Sequence, residues 1–187
     1  MIGELPVSLE VGGRLYAIRT DFRVILNIFS AFNDPELTDR EKCYVCLKCL
    51  YEDLNVIPRD SIQEAIEKAY WFVGGGDIPQ EDNTPNVRLF DWDKDGHIIF
   101  PEINKAAGQE VRQIPYMHWW TFLGYFSSIG EGIFSTVVNI RSKKAKGKKL
   151  EKWEKDFMRE HKKLIALHSS EEQAAIDETE AFLREIT

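Results

Sequence analysis

Apolar residues near the start of the chain alternate with polar ones, and further on they recur at helical spacing. Val7, Leu9 and Val11 alternate with polar neighbours, Gly12-Gly13 offers a tight turn, and Leu15-Tyr16-Ala17-Ile18 returns. That pattern predicts a β-hairpin over 5–18. Phe22, Ile25, Leu26 and Phe29 then predict a helix capped by Thr20 or Asp21 and stopping near Asn33-Asp34-Pro35. Thr38-Asp39-Arg40-Glu41 has the form of a capping box, in which hydroxyl and carboxylate each accept from a free backbone N–H, and it opens a helix to about Glu52. Ser61-Ile62-Gln63-Glu64 has the same form and opens a helix through Ala65, Ala69 and Phe72, ended by Gly74-Gly75-Gly76.

The second half continues in helical period. Asp77 to Asn86, with two prolines and several acids, reads as an exposed loop. Leu89 to Ala107 reads as a helix interrupted near Gly96 and Pro101, with Gly108 as its stop. Pro115 suits the first turn of an aromatic helix from about Tyr116 to Phe126. Another helix covers Ile133 to Ser142, and Lys143 to Lys149 is a polar, basic joint. Leu150, Trp153, Phe157, Leu164 and Leu167 then fall at three- and four-residue intervals, a seam broken by Glu160. Ser170-Glu171-Glu172-Gln173 opens a last helix with Ile176, Thr179, Leu183 and Ile186 on one side. The expected fold is mainly α: an N-terminal β-hairpin, a multi-helix bundle and a C-terminal helical pair. The divisions are 1–142, a joint at 143–149, and 150–187. The pair could fold back on the body or serve as an arm that self-associates with another chain.

Charge sharpens this picture. The net charge is -7, yet Arg141 to Lys163 holds eleven Lys/Arg against four Asp/Glu, so a local +7 sits on a remainder of -14. A basic segment on an acidic body suits an acidic partner or an internal contact. Nucleic acid is disfavoured as a partner, because no recognition motif accompanies the basic run. No stretch approaches the roughly 20 consecutive apolar residues of a membrane helix, and no signal-peptide pattern opens the chain, so a cytoplasmic protein is expected. Cys43, Cys46 and Cys49 share the spacing of a metal motif but have no fourth cysteine, and they lie in a helical pattern. They read as small core residues in a reducing compartment.

Two further stretches bear on chemistry. Asp91-Trp92-Asp93-Lys94-Asp95-Gly96, with Glu102 at the twelfth position, matches a calcium loop at its ligand positions. Its context disagrees: Pro79 and Pro85 precede it, Ile99 replaces the polar ninth residue, and Pro101 stiffens the exit. Read as a helix, Trp92, Asp95, Ile99 and Ile103 share a side, so no metal or other cofactor is expected. Phosphate-loop, nucleophile-elbow and His-Glu-x-x-His signatures are absent, and none of the four histidines has ligand spacing with another, so no enzyme is expected. Tyr116, His118, Trp119, Trp120 and Phe122 concentrate aromatic area that must enter a core or grip a partner.

The order of landmarks is itself distinctive. Leu5-Pro6 to Tyr16 is followed by Thr20-Asp21-Phe22-Arg23, Phe90-Asp91-Trp92-Asp93-Lys94-Asp95, His118-Trp119-Trp120-Thr121-Phe122 and Ile140-Arg141-Ser142-Lys143-Lys144. Over nearly the full length this resembles the gene-product-fifteen family of tailed phages and prophages of Gram-positive bacteria. In such phages the gene typically lies between those for the major tail tube protein and the tape measure. The resemblance implies an assembly chaperone in the host cytoplasm, with the tape measure protein as partner and the tail tube protein as a second one. A structural virion component and a calcium-binding module are the alternatives. Helix-in-groove docking suits a holdase. The expected anchors are Trp153, Phe157 and Leu164, and the expected steering charges are Arg141, Lys143, Lys144, Lys148 and Lys149.

Overall fold

The computed structural model of the chain describes residues 3–77 and 88–167. The acidic loop at 77–86, except Asp77, and the last expected helix with its capping box lie outside the described residues. The fold is mainly α behind an N-terminal hairpin, and it divides into two compact units. The first takes residues 1–85 and 99–130, and the second takes 86–98 and 131–187.

The first unit opens with β1 (Ser8–Val11) and β2 (Arg14–Ala17), paired antiparallel in the register Leu9 to Tyr16. Gly12 and Gly13 turn the chain at φ 56° and 74°, a left-handed pair that only glycine adopts without strain. Leu9 and Val11 enter the core while Val7 stays exposed. Helix α1 (Phe22–Asn33) is capped by Asp21, whose Oδ1 accepts the Arg23 N–H. It packs on α2 (Asp39–Leu50) and on α5 (Trp119–Ser127). The capping box of Thr38 and Glu41 is present at the start of α2.

Helix α3 (Ile62–Val73) departs from the expected capping scheme. Ser61 makes no side-chain cap, because it closes a short 3-10 turn (Arg59–Ser61) instead. Glu64 is drawn to the hairpin, where Oε2 accepts the Gly12 N–H at 2.9 Å. The cap was forgone for a long-range bond that sequence spacing does not reveal. Helix α4 (Gly96–Ala107) starts at Gly96 rather than near Leu89 and carries Pro101 inside it, with Ile99 and Ile103 fully buried.

The second unit holds α6 (Ile133–Ala145), α7 (Lys152–Glu160) and the short α8 (Lys162–Ile165). Helix α6 runs three residues beyond Ser142, so Lys143 and Lys144 occupy its last turn, where cations complement the helix dipole. Phe134, Val137 and Ile140 bury its apolar side, and Phe90 meets Phe134 edge-on at 5.6 Å. Helix α7 breaks at His161, so the seam from Leu150 to Leu167 is not one continuous helix. The expected alignment is also rotated: Trp153 is 51% exposed, whereas Glu154 is fully buried.

Candidate partner-binding surface

The aromatic element is an interior lock of the first unit. Pro115 belongs to the lead-in, and α5 begins at Trp119 with His118 as its cap. His118 Nδ1 accepts the Trp120 N–H at 3.0 Å, so its Nε2 is the nitrogen placed to donate to the Pro6 carbonyl, also at 3.0 Å. The Trp119 and Trp120 indole N–H groups donate to Val73 O and Phe72 O, both at 2.9 Å. Both carbonyls lie in the last turn of α3, where Phe72 O also accepts the Gly75 N–H at 3.1 Å, so the two indoles supplement its C-terminal cap. Phe122 stacks on Phe22 at 4.4 Å and on Trp119 at 5.8 Å. Trp119, Phe122 and His118 are buried, Trp120 is half-buried, and Tyr116 is exposed while sharing a 2.7 Å hydrogen bond with Thr20.

Two arginines that carry no spacing signal reinforce this unit. Arg19 donates to the carbonyls of Lys48, Cys49, Tyr51 and Glu52, closing the end of α2. Arg23 pairs with Asp21 and donates to Ile114 O at 2.7 Å, while Asp21 Oδ2 accepts the Met117 N–H. The Thr20-Asp21-Phe22-Arg23 run therefore ties α1 to the approach to α5.

In the second unit the acids of the calcium-like loop serve other ends. Asp91 Oδ1 accepts the N–H groups of Asp93 and Lys94, and its carboxylate also pairs with Arg88. Asp95 is buried and bound bidentately by Arg141, at 2.6 and 2.9 Å. Asp93 is exposed, and Glu102 lies along α4 in the residues of the other unit. Among the described residues no group of three or more His, Cys, Asp or Glu is arranged to hold a metal.

Arg141 corrects the expectation of a surface steering charge. It is 7% exposed, and its five N–H donors reach Asp95, Leu89 O, Leu164 O and Ile165 O. A buried guanidinium needs that many partners, and here it closes the end of α8 as well. Lys143 is likewise engaged: its Nζ lies 2.6 Å from Glu154 Oε1, which also accepts from Asn139. Glu154 Oε2 accepts the Glu151 N–H at 2.8 Å. The Lys143 hydrogen bond, followed by that backbone N–H, holds the Glu154 carboxyl below its ordinary range. Sequence reading missed Glu154, although Glu151 and Glu154 are spaced as a cap pair at the start of α7.

Among the described residues the second unit carries a groove of 910 Å³. Leu150, Met158 and Ile165 line it with apolar surface, and Lys144, Lys149, Lys152, Lys155, Arg159 and Lys162 line it with positive charge against one carboxylate, Asp156. Lys144 and Lys149 were among the expected steering charges, while Lys148 is exposed outside the groove lining. Leu164 and Phe157 are half-buried, with Phe157 against His161 at 4.4 Å.

A hairpin-led helical protein with buried ionic ties and a cationic, grease-lined groove has the make-up of a binding protein. The family described as Bacteriophage Gp15 protein matches residues 1–167, and the chain belongs to it. This makes it a bacteriophage protein. No curated protein and no solved structure matches the chain. Among the described residues no helix is long and apolar enough to cross a membrane.

Proposed function

We propose that this protein is a non-enzymatic tail assembly chaperone, acting in the host cytoplasm, that holds the tape measure protein until the tail tube protein polymerises around it. The observation that carries this reading is the groove of the second unit, which joins an apolar floor to a basic rim. A holdase needs that combination: greasy surface covers a partner helix, and charge steers and releases it. Family membership supports the phage context. Co-expression tests it. The tape measure protein should stay soluble and co-purify at low salt, and Lys152→Glu/Lys155→Glu should weaken capture. Failure to co-purify at low ionic strength would sink the reading.

A structural virion subunit is the second reading. It is favoured by Leu5, Val7 and Leu15 of the hairpin, which are 45%, 62% and 73% exposed and could pack against a neighbouring subunit. Many copies of this chain in purified particles would select it over the chaperone.

A further inference from the structure

The groove is electrostatically one-sided. Arg159 is paired with Asp156, but Lys144, Lys149, Lys152, Lys155 and Lys162 have no carboxylate partner among the described residues. Five ammonium groups around one concavity repel each other, and an anionic occupant relieves that repulsion. The apolar floor asks in addition for an occupant with a greasy side. The chain itself carries such a sequence. Residues 168–187 contain six Asp/Glu and one Arg, and Ile176, Leu183 and Ile186 recur at seven- and three-residue spacing. This stretch begins two positions after Ala166, which lines the groove. As a helix, twenty residues would span about 30 Å, ample to cross it.

We infer that the groove binds residues 168–187 of the same chain. Read as a helix, this sequence would carry Glu172, Asp177 and Glu180 on the flanks of the side that holds Ile176 and Leu183, so acids would meet the lysines while that side covers the apolar floor. The inference does not depend on the identity of any partner. It gives the surface a resident competitor that an incoming acidic helix must displace.

The test uses the full chain and a carbodiimide, which joins a lysine amine to a carboxylate only when the two are in contact. At low ionic strength, peptide mapping should find Lys149, Lys152, Lys155 or Lys162 joined to carboxylates of 168–187. The yield should fall several-fold at about 1 M salt, where the screening length is near 3 Å. The Lys152→Glu/Lys155→Glu variant should lose the links from those two positions, and Glu172→Lys/Glu180→Lys in that background should restore contact, read as links in the reversed sense. Lys152 and Lys155 are exposed, and unchanged far-ultraviolet circular dichroism checks that the variants fold. Mapping that shows other lysine–carboxylate links but none from the groove to 168–187 overturns the inference. A mixture of 15N-labelled and unlabelled chains should give links within one isotope only. Predominant heavy–light pairs would overturn the intramolecular form and assign the groove to a second copy.

Discussion

The two units solve the same problem with different materials. In each, helix ends present carbonyls that need donors. The first unit supplies indole N–H groups and peripheral guanidinium groups around an aromatic core. The second supplies Arg141, sealed inside and balanced by Asp95, and also holds a buried Glu154 balanced by Lys143. Aromatic caps bring their own hydrophobic burial, so losing one is graded. Buried ions are all-or-none, because a charge left without its partner keeps its full desolvation cost. The second unit should therefore be the more brittle of the two.

The largest expected effect is Asp95→Ala. It leaves the Arg141 guanidinium buried without a counter-charge and should cost about 3–5 kcal/mol, read as a lower urea midpoint for the second unit. Replacing both, as in Asp95→Leu/Arg141→Met, should recover much of that loss, and no recovery would contradict the ionic account. Trp119→Phe is next. It orphans Val73 O within the first unit and should cost about 1–3 kcal/mol, with faster amide exchange at the end of α3. Gly76 has φ 97°, and a Cβ there would stand 3.2 Å from Trp120. Gly76→Ala should cost about 1–2 kcal/mol in thermal or urea melts, from the positive φ alone.

Acid should separate the units further. The Glu154 carboxyl is held below its ordinary range in the fold, so its contribution is present above the unfolded carboxyl pKa and is lost as pH falls through the folded one. Below about pH 4 the second unit should weaken, and Glu154→Gln should flatten that dependence in urea melts taken across pH. Smallest of all is Trp153→Ser. Its indole is half exposed, and stability should move by no more than about 0.5 kcal/mol, while capture of the tape measure protein is the reading it should alter if it is an anchor.

The contrast also explains what could be read from the chain. The hairpin, α1, α2 and its capping box follow local rules, in which each residue's partner lies within nine positions. The aromatic burial at Trp119 and Phe122 follows from the same periodicity. What escaped is long-range and polar. Glu64 serves Gly12 rather than its own helix, and Arg141 and Asp95 meet across 46 positions. The Asp91–Glu102 run shows the hazard from the other side. Acids at ligand spacing prove to be a cap and a counter-ion, because a guanidinium from far along the chain takes up the third carboxylate. Trp153 and Glu154 exchange expected roles for a similar reason: a seam drawn on apolar spacing does not foresee that Asn139 and Lys143 would turn a carboxylate inward.

Helix α2 leaves the protein with a graded set of thiols. Cys43 and Cys49 are partly accessible, whereas Cys46 is buried, and that burial, with its two neighbours, pushes its thiol up to about 12. Thiolate is the reactive form, so an alkylating reagent at neutral pH meets Cys43 and Cys49 first and Cys46 only after α2 lifts away. Mass spectrometry of the order of labelling would thus time the opening of the first unit without any added dye, using a stopwatch the native chain already carries.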